Sequence, residues 1–267
     1  MCMNWRNLPR EVSDVQLETM CCEVKGPVAH VTLNRPDVLN AMNVQWAHDF
    51  LAIAEDLERN SQVKIVIIRG GGSAFSSGID LKALSRREFS MDWFRVYERS
   101  LRAMETMDKV VISAIHGYCI GGGLQVALAS DIRIVAEGTK FALTAVKECL
   151  VPGMGTYRLA RFIGPGRAKR IILSGEFIDA QEANAMGLID YLVPQADFDK
   201  RVAEITQVYL NAASEGQHQA KRLVNLAFDL DWDEFLEKYI EAQAATLASE
   251  QHEEAMAAFR EKREARF

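Results

Sequence analysis

Four short runs rich in β-branched and apolar residues recur along the first half of the chain, at 28–33, 63–68, 110–115 and 132–135, each separated from the next by a helical or glycine-rich stretch. Strands that alternate with helical patterns specify an α/β architecture. Between the first two runs, Val44, Ala47, Leu51 and Ala54 keep helical spacing, and Trp46, Phe50 and Ile53 fill the adjoining face. The helix predicted over 43–59 is therefore apolar on most sides and belongs in the interior. A second helix is predicted over 91–107. Farther on, Asp179-Ala-Gln-Glu182 is a capping-box sequence, Gly187 stands where a helix is expected to stop, and 189–193 resumes as a strand. From about Asp197 the texture changes: the only glycine is Gly216, there is no proline, and Ala, Glu, Lys, Arg and Leu dominate. That composition predicts a helical appendage of about three helices. The expected division is a core over 1–196 and a helical packing or oligomerisation region over 197–267.

Composition narrows the class. The chain has 267 residues, 49% of them hydrophobic and 25% charged, enough to bury a sizeable core without disulfides or structural metals. The net charge of −6 argues against nucleic acid as a partner. Its five cysteines, Cys2, Cys21, Cys22, Cys119 and Cys149, form no metal-ligand pattern and fit a reducing compartment. The N-terminus shows no apolar core of signal-peptide length, and no apolar run is long enough to span a bilayer. A cytoplasmic protein with no membrane partner is expected.

Two segments make backbone, rather than side chains, the working part. GGGSAFSSGIDLK at 70–82 comes after the second strand run, and HGYCIGGGLQ at 116–125 after the third. Glycine clusters at strand ends let the chain turn sharply and bring N–H groups close to a ligand. The second cluster opens onto an apolar helical stretch at 124–130, which adds partial positive charge at its start. Facing each other, two such loops supply a pair of N–H donors for a developing oxyanion. Neither segment has the pattern of a phosphate-binding loop or a dinucleotide fingerprint.

These residues resemble the crotonase (enoyl-CoA hydratase/isomerase) superfamily. VAHVTLNRPDVLNAM at 28–42 looks like its first strand and loop, AFSSGIDLK at 74–82 like its A-F-x-x-G-x-D-x-K loop, and HGYCIGGG at 116–123 like its second loop. SDIR at 130–133, LSGEFIDAQEA at 173–183, MGL at 186–188 and AMAAFREKR at 255–263 continue in register, so the resemblance covers nearly the whole chain. It implies a ββα spiral core with a C-terminal helical appendage, and a homotrimer or dimer of trimers. It also implies an acyl-CoA thioester as substrate, with CoA part of the substrate and no further cofactor or metal. The amides of Ile79 and Gly122 would hold the thioester oxygen. Val38, Gly78, Asp80, Leu81, Lys82, Tyr118, Gly121, Thr144 and Ala145 would lie along the bound ester, with Lys82 near a phosphate. Trp93, Phe94 and Tyr97 could wall the acyl pocket.

The resemblance breaks at the acid and base. Where the family places one glutamate, two residues past the triple glycine, this chain has Gln125; where it places the other, four residues past Phe141, it has Ala145. An amide has no usable conjugate acid near neutrality, and a methyl group moves no proton. The family's P-G-x-G-G-T is shortened to PGMGT at 152–156. From sequence alone, the leading expectation is thus enolate chemistry other than standard hydration: decarboxylation, C–C hydrolysis or ring chemistry. One alternative is a hydratase or isomerase whose relocated carboxylate is Glu148; another is a non-catalytic acyl-CoA-binding scaffold. His116 is expected to be structural, and Tyr157 and Thr144 offer hydroxyls near the presumed site.

Overall fold

The computed structural model describes residues 14–267; Cys2 lies outside them. Strands β1 (Asp14–Gln16), β2 (Met20–Lys25) and β3 (Val28–Leu33) form an antiparallel meander. From β3 onward the sheet is parallel, through β4 (Ile65–Gly70), β5 (Val110–Ile115), β7 (Ile132–Ala136) and β10 (Tyr191–Val193), giving seven strands in the order β1-β2-β3-β4-β5-β7-β10. A second sheet joins β6 (Tyr118–Ile120) to β8 (Lys140–Ala142) and β9 (Ile178–Asp179). The predicted α/β class holds, with the second strand displaced two residues toward the C-terminus of its predicted span.

The parallel strands are largely apolar because both faces are covered. In β4, Val66 and Ile68 belong to the larger core, shared with Trp46, Phe50 and Leu101, whereas Ile65 and Ile67 face Ile112, Ile134, Phe198, Val202 and Ile205. The first face is covered by α1 (Val44–Arg59) and α3 (Met91–Thr106). Asn43 caps α1 by accepting from the Trp46 amide, and Ser90 caps α3 through the Trp93 amide. As its sequence predicts, α1 buries Trp46, Ala47, Phe50, Ile53 and Ala54 together; Val44 and Leu51 are half-buried.

The C-terminal region holds four helices rather than about three: α7 (Phe198–Leu210), α8 (Ser214–Leu226), α9 (Trp232–Leu247) and α10 (Glu250–Glu261). The first closes the sheet's second face, so Phe198, Val202 and Ile205 are core residues. Composition shows helix but not which helix covers the sheet. No helix of the described residues is long and apolar enough to cross a membrane.

Three short helices complete the fold: α2 (Leu81–Ser85), α4 (Gly122–Leu128) and α6 (Ala180–Ala185). Asp179 caps α6 through the Glu182 amide at 2.9 Å, the expected cap, while the Glu182 carboxylate pairs with Arg170. The α5 segment (Gly155–Ser174) is two helical stretches broken at Gly164, whose φ is 76°, just before Pro165.

Candidate active site

The two glycine-rich loops are laced together at the C-terminal ends of β4 and β5. The Phe75 amide donates to the His116 carbonyl, the Ser76 amide to Tyr118 and the Ile120 amide back to Ser76, each at 2.9 Å. Asn40 ties in the chain after β3: its Nδ2 donates to the carbonyls of Gly71 and Ala74 at 2.9 and 2.8 Å. His116 Nε2 lies 3.0 Å from the Gly72 carbonyl, a structural tie as expected.

At the meeting point the amides are used in alternation. The Gly78 amide donates to Ser76 Oγ, the Asp80 amide to the Met42 carbonyl and the Gly121 amide to the Ala142 carbonyl. The amides between and beside them, on Ile79 and Gly122, find no acceptor among the described residues. The Gly122 amide opens α4, where N–H groups have no intrahelical partner, whereas the Ile79 amide belongs to the first loop; both stand at the same loop junction. Gly78 makes it possible. With φ at +86°, it brings the loops so close that a Cβ there would sit 2.8 Å from the Ile120 carbonyl oxygen and 3.1 Å from the Gly122 nitrogen.

Asp80 anchors the turn from the first loop into α2. Its carboxylate caps that helix through the Lys82 and Ala83 amides at 3.0 and 3.2 Å and meets Arg35 at 3.3 Å. Burial would raise its pKa, but the two amides and Arg35 outweigh that and hold it below the usual carboxylate range.

Ile79, Leu81, Gly121, Gly122, Thr144 and Ala145 line a cavity with about 110 Å³ of space, together with Gln125 and Glu148. One wall is aromatic. Trp93 and Tyr97 stack at 5.3 Å, and Phe94 meets Trp93 edge-on at 5.2 Å. Trp93 Nε1 donates to the Val44 carbonyl and the Tyr97 hydroxyl to the Gly122 carbonyl, both at 2.9 Å. Burial pushes the Tyr97 phenol well above its ordinary pKa, so it stays a donor. The wall predicted from Trp93, Phe94 and Tyr97 is therefore present and held in place at both ends.

The remaining sequence-nominated residues, Val38, Gly78, Asp80, Lys82 and Tyr118, are not part of this lining. Gly78 and Asp80 shape the loop from behind. Val38, Lys82 and Tyr118 are exposed, because the segments carrying them run over the outer surface. Tyr157 is also elsewhere, with its hydroxyl donating to Asp229 at 3.2 Å. Cys119 is fully buried, which pushes its thiol pKa well up. No cluster of the described residues could hold a metal ion.

Two carboxylates reach the cavity. Glu148, nominated from sequence, ends a 3₁₀ turn over Thr144–Glu148, is exposed, and makes no hydrogen bond or ion pair among the described residues. Glu98 was not visible as a candidate. It lies on α3 beside Tyr97, with Oε1 accepting from the Met154 amide and Oε2 from Arg158 Nη1, both at 2.9 Å. Its one sequence signal is position: Phe94, Glu98 and Leu101 share a helix face, so a charge interrupts an apolar stripe.

A family model described as "Enoyl-CoA hydratase/isomerase" matches residues 23–267. The chain belongs to that family. It is 32% identical to the short-chain-enoyl-CoA hydratase of Clostridium acetobutylicum over 257 residues, covering 93% of this chain and 97% of that protein. It is 31% identical to the crotonyl-CoA hydratase of Syntrophomonas wolfei, covering 94% and 98%. Among solved structures, the enoyl-CoA hydratase from Bacillus anthracis superposes with a TM-score of 0.88 at 28% identity, covering 94% of this chain and 99% of that one. The crotonase-type fold and an acyl-CoA enzyme family are thereby established.

Proposed function

We propose that this chain adds water to a short 2-enoyl-CoA thioester. The observation that carries this reading is that carboxylates reach the cavity although the family's two glutamate positions hold Gln125 and Ala145. Decarboxylation or C–C hydrolysis, favoured by sequence alone, rested on the loss of the family's two glutamates beside intact oxyanion loops. With Glu148 and Glu98 lining the cavity, and with relatives named as hydratases, that loss no longer decides the reaction.

In the proposed reaction the thioester oxygen accepts from the Ile79 and Gly122 amides. They stabilise the negative charge that builds on it as the C3 carbon is attacked. Two preorganised donors suit an enolate, since removing one from such a pair costs about 3 kcal/mol in acyl-transfer enzymes. The electron pair of the double bond moves to C2 and the oxygen, and C2 then takes a proton. Glu148, at the cavity and free of partners, is placed to give it. The acyl group would lie against Trp93 and Tyr97. The cavity's small space, about 110 Å³, favours a short acyl group. The CoA moiety would extend over Leu81 and Lys82 at the surface, and the chain would assemble as a homotrimer or dimer of trimers.

The test is incubation of the purified protein with crotonyl-CoA and with saturated, 3-oxo, malonyl and cyclic acyl-CoA esters in D₂O, then mass spectrometry of the products. Gain of one water by crotonyl-CoA, with deuterium at C2, is the expected result. Loss of CO₂ or ring opening elsewhere in the panel, with crotonyl-CoA untouched, would overturn the proposal.

A further inference from the structure

We infer that Glu98 is the base that takes the proton from the attacking water, with Gln125 holding that water from its other side. The inference rests on the hydration reading and names the residues that carry its first step. It starts from a convergence at Gly153. That residue has φ +50°, and a Cβ on it would lie 2.6 Å from Glu98 Oε1, 3.0 Å from Gln125 Oε1 and 3.7 Å from Gln125 Nε2. The Pro152–Gly155 turn crosses directly over this pair, which brings a side chain of α3 beside a side chain of α4.

The hydrogen bonds fix what each group offers. Gln125 Oε1 accepts from the Gly155 amide at 3.1 Å, which orients the carboxamide with Nε2 as the donor end. Nε2 makes no hydrogen bond among the described residues, although Gln125 is only 6% exposed. Glu98 Oε1 accepts only from the Met154 amide, leaving a second lone-pair direction on that oxygen. A donor without a partner and an acceptor with spare capacity thus flank Gly153 on the same stretch of cavity wall, and the water belongs in the cavity in front of them. A water there would receive an N–H from Gln125 and give an O–H to Glu98. Gln125 is a permanent neutral donor and needs no protonation to hold the water's oxygen.

The step balances without any further reagent. As the water oxygen bonds to C3, its O–H bond breaks and the proton passes to Glu98. The π electrons move to the C2–thioester unit held by the Ile79 and Gly122 amides. C2 then gains a proton from Glu148, which enters the step as the neutral carboxylic acid and leaves it as the carboxylate; Glu98 does the reverse, and proton exchange with solvent returns both to their starting states. One water is added and nothing is oxidised.

Glu98 is also a counter-ion of Arg158, which is buried, so the test must separate the two roles. The structure supplies the control. Glu105 pairs with the same guanidinium, at 3.4 Å, has a side-chain exposure of 19% against 23% for Glu98, and does not line the cavity. Glu98→Gln and Glu105→Gln each remove one negative charge from Arg158, and Glu98→Gln keeps a carbonyl oxygen for the Met154 amide.

The experiment measures crotonyl-CoA hydration for the full chain and for both variants, with KM and a thermal melt for each. Glu98→Gln is expected to lower kcat by about 10²–10⁴-fold, the range for loss of a general base, with KM within about twofold. Glu105→Gln is expected to melt at a temperature similar to Glu98→Gln and to keep kcat within about threefold. The inference is overturned if Glu98→Gln retains kcat, or if both variants lose kcat alike, since Glu98 would then act only through Arg158. A wild-type protein that hydrates no 2-enoyl-CoA would instead sink the hydration reading, a result distinct from either.

Discussion

Gly78→Ala and Gly138→Ala are a matched pair of perturbations that isolate the loop junction. Both glycines have nearly the same positive φ, +86° and +84°. Alanine in that region costs about 1–2 kcal/mol, and the loss of unfolded-chain freedom is common to both. Only their neighbours differ. A Cβ on Gly138, in the turn between β7 and β8, meets nothing within 4 Å, whereas one on Gly78 meets the Ile120 carbonyl at 2.8 Å. The obstacle is backbone, and neither side can swing aside, so relief requires the two loops to part. Overpacking of that kind adds about 1–3 kcal/mol. Taking about 2 kcal/mol as the difference, Gly78→Ala should melt roughly 4–8 °C below Gly138→Ala. The same parting moves the Ile79 and Gly122 amides, and loss of one donor of such a pair lowers kcat by about 10²–10³-fold. Gly138→Ala should keep wild-type kcat. Thermal melts and crotonyl-CoA hydration on the two purified variants read both quantities. If the pair behaves identically in both assays, the argument that the free amides are set by loop-to-loop contact at Gly78 is wrong.

The same geometry sets other outcomes. Tyr97→Phe removes the hydroxyl that donates to the Gly122 carbonyl; a stability loss of about 1 kcal/mol with a reduced kcat is expected, and an unchanged kcat would mean that this bond does not hold the α4 end of the site. The pKa of Asp80 is depressed in the folded state, so its contribution to stability is full above its unfolded value, near about 3.9, and is lost as pH falls through the lower folded value. Melts of Asp80→Asn should therefore decline less steeply than wild type below about pH 4, and parallel acid profiles would contradict this. The helical region leaves Trp232 and Phe259 at 78% and 80% exposure in the single chain. Light scattering is expected to give a mass three or six times that of the chain, and Trp232→Glu to reduce it; a monomeric wild type would refute the proposed assembly.

How much could be read in the residues themselves depended on whether the determinant was local. Strand runs, the α1 face, the Asp179 cap and the glycine loops are encoded within a few residues of one another, where periodicity and turn chemistry act directly. So are the substitutions at Gln125 and Ala145, which are plain in the chain as letters. What those substitutions mean is not local. Glu98 is separated from Gln125 by 27 positions and from Gly153 by 55, and only the packing of α3 beside α4 and the turn before α5 gathers them at one wall. No spacing rule connects residues whose proximity is produced by a sheet and three helices. Likewise, composition past residue 197 specifies helix, because propensity is a property of each residue. That α7 should cover Ile65, Ile67 and Ile112 was decided by the sheet, which had a second apolar face to remove from water. Sequence by itself determined the strand–helix order, the two loops and the family; tertiary structure decided which amides stay unpaired and which carboxylates stand beside them, because both depend on contacts between segments distant in the chain.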